Sequence, residues 1–260
     1  MALRENNKFI LGAGKLYFQE QDENGNLLPG ERYLGDTPGF SISNKENTEK
    51  LMSSDLAVRQ LLIEVKTASE MTAKIECRDI TIENIAAFLD GAATTISQTT
   101  ATVTAEPLGA VKKGLYYQLG QNATTRLGGA KKITAVAIKN GATTYVAGTD
   151  YELDAATGRI FIRPTGAIPE NAPLTADYSI PATTYDQVLA NSKRETLGAL
   201  RYVADNSSGE NRDVYIPMVY MKAEGDLSLK GEKFITLMLI CTFLRRGNNN
   251  YLAIIDGRGV

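Results

Sequence analysis

Residues Leu56 to Asp79 read LAVRQLLIEVKTASEMTAKIECRD. Leu61, Ile63 and Val65 fall on one face of an extended chain, and Leu62, Glu64 and Lys66 on the other. Past Ala68 and Ser69, the apolar residues Met71, Ala73, Ile75 and Cys77 alternate with Thr72, Lys74, Glu76 and Arg78. Alternation of period two predicts two long strands, each with one face in a core and one in water. This stretch sets the fold class as mainly β.

The pattern changes just beyond it. Thr81 to Leu89, TIENIAAFL, places Ile82, Ile85, Ala86 and Leu89 at helical spacing. Thr81 is the expected N-cap and Gly91 the expected C-terminal stop. Working upstream, Leu16 to Glu20 is a short apolar and aromatic run followed by Asp22-Glu23-Asn24-Gly25-Asn26. Asn-Gly supplies the positive φ angles of a tight hairpin turn. The competing reading, a calcium loop, lacks the bidentate Glu at its end. Between these segments lies Gly35 to Ser54, GDTPGFSISNKENTEKLMSS, whose polar and charged middle is broken only by Phe40 and Ile42. It reads as a long loop, of the kind that is usually functional or disordered.

Residues 101–182 read as a separate module. Short strands are expected at Ile133–Lys139, Thr143–Val146, Tyr151–Leu153, Arg159–Arg163 and Leu174–Tyr178, with turns at Asn140-Gly141, Ala147 to Asp150 and Ala156 to Gly158. That spacing predicts a small all-β sandwich. The module carries 8 Lys or Arg and 6 Asp or Glu, and the remainder carries 20 and 24. Longer strands resume at Leu200–Val203, Val214–Met221, Glu224–Lys230 and Lys233–Leu244. The last places Ile235, Leu237, Leu239, Cys241 and Phe243 on one face. Its other face, from Thr236 to Leu244, is apolar enough to be covered as well for much of its length. Arg245 to Val260 reads as a terminal arm.

Composition removes whole classes of chemistry. The 260 residues include no His, so no His-based general acid or base, Ser-His-Asp triad or His-containing zinc site can be built. Gly12-Ala13-Gly14-Lys15 lacks phosphate-loop spacing, and Leu16 stands where a magnesium-binding Ser or Thr would be. Asp150, Glu152 and Asp154 share one strand face as a carboxylate ligand set could, but a solvated face beside a turn accounts for them better. Cys77 and Cys241 are expected as buried free thiols. A net charge of -2 gives no basic excess for nucleic-acid binding. The apolar patch Phe9 to Gly12 is too short for a signal segment, and the run Phe234 to Leu244 is too short to span a bilayer. The sequence therefore predicts no enzyme, no cofactor, no metal and no membrane insertion, in a protein folded in a cytoplasm.

Several pieces in combination resemble the major tail tube proteins of long-tailed, siphovirus-like bacteriophages. They are the opening GKLYFQEQDENGNLLPGERYLGDTPGFSIS, the polar segment SNKENTEKLMSSD, the strand pair to Arg78, the helix TIENIAAFLDG and the late DVYIPMVYMKAEGDLSLKGEKFITLMLICTFL. They cover about two thirds of the chain, from residues 1–100 and 183–260. Residues 101–182 depart from the smallest family members and look like an inserted Ig-like β-module. The resemblance implies a tail-tube β-sandwich with one flanking α-helix that contributes to an inner β-barrel.

It further implies a structural virion protein. Six copies would form a ring, and rings would stack into a tube through which genomic DNA passes non-specifically during ejection. Implied partners are further copies of the chain, a tape measure protein and tail-end proteins. The long loop, with Lys45, Glu46, Asn47, Glu49, Met52, Ser53 and Asp55, would reach between subunits and rings. A wall that DNA must slide past should be neutral or acidic, because basic walls hold phosphates. The expected lumen-facing residues are Glu64, Lys66, Lys74 and Glu76, from the polar strand face. A second expectation, of a different class, is a carbohydrate-binding or adhesion β-domain that uses Tyr116, Tyr117, Tyr145 and Tyr151 to stack on sugars.

Overall fold

The computed structural model describes residues 9–258, Glu23 and Leu56 excepted. The chain is mainly β and divides into two compact units, Met1–Ala93 with Val188–Val260, and Thr94–Gln187.

The larger unit opens with β1 (Gly14–Glu20), β2 (Arg32–Tyr33), β3 (Gly39–Met52), β4 (Leu61–Cys77) and α1 (Ile82–Phe88). A turn forms between β1 and β2, but it is longer than the expected two-residue Asn-Gly loop, since the Asp22 N–H donates to the Asn26 carbonyl at 2.8 Å and Gly25 but not Asn24 is left-handed. Asp22 Oδ1 accepts from the backbone N–H groups of Asn24 (2.9 Å) and Asn26 (2.8 Å), and Gly25 takes a φ of 85°. The helix starts where the hydroxyl of Thr81 accepts from the Asn84 N–H at 3.2 Å. It ends as Asp90 turns left-handed (φ 45°) and the Gly91 N–H reaches the Ala86 carbonyl at 2.8 Å. This orphan-carbonyl closure is a standard helix stop.

The smaller unit holds β6 (Ala101–Val111), β7 (Tyr116–Gln118), β8 (Thr134–Asn140), β9 (Thr143–Tyr145), β10 (Tyr151–Asp154), β11 (Arg159–Ile162) and β12 (Ala172–Ile180); β5 (Ala92–Gln98) pairs with β13 (Thr183–Leu189) as a separate two-stranded sheet. Two antiparallel sheets, in the orders β6-β12-β8-β9 and β10-β11-β7, share one core that includes Ile138, Ile160, Ile162, Leu174 and Tyr178. The unit is thus a small sandwich; the sequence places β8 to β12 and misses β6 and β7. Asp150, Glu152 and Asp154 do not converge. Asp150 caps the Val146 and Ala167 N–H groups, both at 2.8 Å, Glu152 pairs with Arg163 at 2.8 Å, and Asp154 binds Thr157.

The chain then returns to the larger unit with β14 (Thr196–Ala204), β15 (Arg212–Ala223), β16 (Leu237–Phe243) and β17 (Ile254–Gly257). All its strands join one antiparallel sheet of order β2-β1-β14-β15-β16-β4-β3, with β17 added beside β15. The expected two-layer sandwich of this unit is therefore one open sheet in a single copy, with α1 packed on β15 and β16. Pro217 explains how β15 serves two partners along one edge. The register with β14 shifts between Gly198 and Leu200, so two β15 residues, Pro217 and Met218, oppose one. A bulge is where a strand tolerates proline and bends. On one side of it β15 pairs with β17, and on the other with β16. Gly198 is required nearby, since a Cβ there would lie 2.2 Å from the Gln19 carbonyl oxygen.

The core lies on one face of this sheet: Leu16, Phe18, Ala73, Ile75, Cys77, Leu200, Ile216, Met221, Leu239 and Cys241, with Ala87 and Phe88 from the helix. Both cysteines are free and buried. Asn84 ties the helix to the edge. Its amide donates to the carbonyls of Leu34 (2.9 Å) and Asp79 (2.8 Å), and its oxygen accepts from Arg32 at 2.6 Å.

Three expectations need correction. Glu224–Lys230 and Lys233–Thr236 are irregular, because Gly225 and Gly231 interrupt an alternation that no neighbouring strand pairs. The outer face of β16 is covered less than expected, with Ile240 and Thr242 half-buried and Met238 exposed. The C-terminal residues do not form a free arm up to Arg258. β17 pairs with β15, and Arg258 binds Asp213 at 2.8 and 3.0 Å and the Ala204 carbonyl at 2.8 Å.

Candidate assembly surface

Strands β3 and β4 pair antiparallel along almost their whole length, from Gly39–Glu76 to Met52–Leu61. On its other edge β4 meets β16 only from Thr72 to Cys77. Residues 44–52 and 61–71 therefore form a two-stranded ribbon about 30 Å long by strand rise, with two unpaired edges. Nearly every side chain on it is exposed on both faces. The segment read as a loop, with Lys45, Glu46, Asn47, Glu49 and Met52, is thus strand β3, and only Ser53 and Asp55 lie in the connecting turn. With water on both faces the sequence has no reason to alternate, and pairing with β4 overrides the low strand preference of Asn, Lys and Glu.

The ribbon contains a register shift. Asn47 faces Ala68 but Thr48 faces Lys66, which leaves Thr67 as an extra residue whose hydroxyl donates to the Asn47 carbonyl at 3.1 Å. An inserted residue exchanges the two faces of its strand. One ribbon face continues the core side and carries Asn44, Glu46, Thr48 and Lys50 beside Ser69, Lys66 and Glu64. Its charges are paired, Lys66 with Glu46, and Lys50 with Glu64 at 3.4 Å. The Lys66 ammonium holds the Glu46 carboxyl below its usual range, and the Thr48 hydroxyl, with Lys50, does the same for Glu64. The other face carries Lys45, Asn47, Glu49 and Leu51 beside Glu70, Ala68, Val65 and Ile63.

This exchange separates the four expected lumen residues. Glu64 and Lys66 lie on the side that continues into the core through Ala73 and Ile75. Lys74 and Glu76 lie on the opposite side, opposite Ser41 and Gly39, with Lys74 paired to Glu224. Simple alternation puts all four together because it does not register Thr67.

Large exposed apolar side chains are the feature that sequence patterning missed. Leu51, Leu61, Leu62, Ile63 and Val65 stand on the ribbon and Val58 in its turn, while Leu229 and Phe234 stand on the irregular 224–236 segment. The alternation of Leu61 to Val65 implied a buried face, but no element among the described residues covers it. Among the expected sugar-stacking tyrosines, Tyr151 is buried, and Tyr117 and Tyr145 are partly buried against the core. Tyr116 alone among these four is well exposed, tilted against Phe161 beneath the Arg159 guanidinium. The four make no shared aromatic platform.

Among the described residues no group of three or more His, Cys, Asp or Glu is placed to hold a metal, and no helix is long and apolar enough to cross a membrane.

Long polar strands, a two-stranded ribbon and exposed apolar side chains are thus the distinguishing features of this sheet among the described residues. The chain belongs to the family described as Protein of unknown function UCP028589, whose model matches residues 9–242. No match to a curated protein was found.

Proposed function

We propose that the chain is a structural subunit that self-assembles into stacked rings forming the tail tube of a long-tailed bacteriophage. The observation that carries this reading is the β3–β4 ribbon. It offers a free edge on each side, so β3 of one copy can add to β4 of the next. An open edge is a template for another strand, and closing a ring of sheets removes it. Such head-to-tail pairing is heterologous and generates a ring when the rotation closes. A two-stranded ribbon is marginal by itself in water, which gives the association its driving force.

The strand face opposite the core, with Ser41, Ser43, Thr72, Lys74 and Glu76, is the one that could line a channel, since the other face of the same strands is committed to Ala73, Ile75 and Cys77. Its charges are mixed, and Lys74 is already paired with Glu224, so DNA would find little net attraction there. Six copies per ring, a tape measure protein and tail-end proteins as partners, and a virion location reached from the host cytoplasm follow from the resemblance.

Electron microscopy and sedimentation of the purified chain over rising concentration test the reading. Rings or hollow filaments are expected. A chain that stays monomeric at every concentration, and binds glycans, would overturn it in favour of an adhesion module.

A further inference from the structure

The sheet of the larger unit curls around its core. Phe40 of β3 and Tyr202 of β14, which three strands separate in the sheet order, stack with ring centroids 5.3 Å apart and planes 29° from parallel. Where these two flanks meet, a cleft of about 380 Å³ opens to solvent. Its walls are Leu16, Pro38, Phe40, Ile42, Tyr202 and Val214, completed by Thr37 and residues 12–14. Leu16 and Val214 belong to the buried core, so the cleft reaches down to it, while the side chain of Ile42 is exposed. Charge sets this cleft apart. No Asp, Glu, Lys or Arg lines it, whereas clefts of about 230, 580 and 800 Å³ elsewhere on the unit are lined by four, five and three charged side chains. Its walls are held without a ligand. The Ala13 N–H donates to the Asn206 side chain at 3.0 Å, and the Ala13 carbonyl accepts from the Tyr202 hydroxyl and the Asp205 N–H, both at 2.7 Å. The Thr37 hydroxyl is the one side-chain polar group of the lining with no partner among the described residues.

We propose that this cleft binds a small neutral ring molecule, largely apolar and carrying a single hydrogen-bonding group. Small-molecule sites are pre-formed, mostly apolar concavities of a few hundred Å³ with few polar groups, and this cleft has that size and that lining. A charged ligand would exchange water for walls that hold no counter-charge. The space takes one or two fused rings and is too small for a strand or helix of another chain. A ring lying against Phe40 and Tyr202, above Leu16 and Val214, extends the buried core outward, and its one polar group meets the Thr37 hydroxyl. Binding here needs only a single copy, so it stands or falls apart from the tube reading.

Indole is the probe. The chain contains no Trp, so the indole resonances belong to the probe alone. Saturation-transfer NMR on dilute full-length protein is expected to show saturable binding with a Kd of about 0.1–1 mM, the range open to so small a ligand. Gly12→Leu should weaken binding at least about tenfold, because a side chain added there meets nothing within 4 Å and grows into free space. Leu229→Ser/Phe234→Ser, in the 800 Å³ cleft, should leave it unchanged. Circular dichroism and melting verify that each variant folds. No binding, non-saturable binding, or wild-type affinity in Gly12→Leu would overturn the site, as would loss of binding in the Leu229/Phe234 variant. Should Gly12→Leu unfold, nuclear Overhauser contacts between indole and the Phe40 and Tyr202 rings of the wild type decide the matter. Their presence supports the site and their absence overturns it. Binding that disappears as the chain associates would assign the cleft to a neighbouring copy, which overturns the ligand site and leaves the tube reading in place. A chain that never associates yet binds indole at these rings would overturn the tube reading and leave this site standing.

Discussion

Replacing Ile63 and Val65 together by threonine keeps the β-branched shape and strand preference of both positions, so the single copy should fold unchanged. Each side chain is 54% exposed and lies on the ribbon face with Leu51 and Ala68. Exposed substitutions of this kind change stability by less than about 0.5 kcal/mol. If ribbons pair edge to edge, the same row on adjacent copies packs beside these side chains, while their outer ends stay in channel water. Full burial of a Val or Ile contributes about 1.5–3 kcal/mol, and cover from the sides alone supplies about 0.5 kcal/mol each. The two together weaken every ring contact by about 1 kcal/mol, or about fivefold in the association constant. Sedimentation velocity over a concentration series reads the association, and thermal melting of dilute protein reads the fold. A right-shifted association curve with an unchanged melt is expected. An unchanged curve would show that no neighbouring ribbon packs beside these side chains and would refute the pairing of ribbons.

Three further outcomes follow from the larger unit. Asn84→Ala leaves the Leu34 and Asp79 carbonyls and the Arg32 guanidinium without their partner, and should lower unfolding free energy by about 2–4 kcal/mol, read by urea denaturation; a change under about 0.5 kcal/mol would contradict its bridging role. Desolvation pushes the Cys241 thiol up to about 12 and the Cys77 thiol up to about 11. At pH 8 neither should therefore react with a thiol reagent until the chain is unfolded, and rapid native labelling would count against their burial. The hydrogen bond from Arg258 holds the Asp213 carboxyl below its ordinary 3.8. A carboxyl lowered in the folded state supports docking of β17 above that ordinary value and loses its contribution as pH falls below it. Protection factors of the amides across residues 254–257, taken relative to intrinsic exchange, should hold from pH 6 down to about 3.8 and fall below it in the wild type, and lose that step in Asp213→Asn. An equal fall in both would contradict the latch.

Where a side chain meets a core on one face and water on the other, its sequence carries the structure. Met71 to Cys77, the capped helix at Thr81 and the short strands of the smaller sandwich are legible for that reason. β3 is not legible, because Asn44 to Lys50 has water on both faces and its strand form depends on hydrogen bonds to β4. The exchange of ribbon faces turns on Thr67, a bulge residue that nothing in composition or periodicity marks. It is what moves Glu64 and Lys66 away from Lys74 and Glu76. Leu229 and Phe234 look like strand residues when alternation alone is read, yet Gly225 and Gly231 break the segment and leave both in solvent. The candidate surface is thus half readable. The apolar residues of β4 are evident, but their exposure follows only from which strands fail to cover them.

The most direct test of the account is a high-resolution electron cryomicroscopy reconstruction of the polymer formed by the full chain. The account predicts a hollow tube in which β3 of each copy is hydrogen-bonded to residues 61–71 of β4 in the next, with Lys74 and Glu76 facing the lumen. A polymer in which both ribbon edges remain unpaired, or in which Lys74 and Glu76 face the exterior, would contradict it.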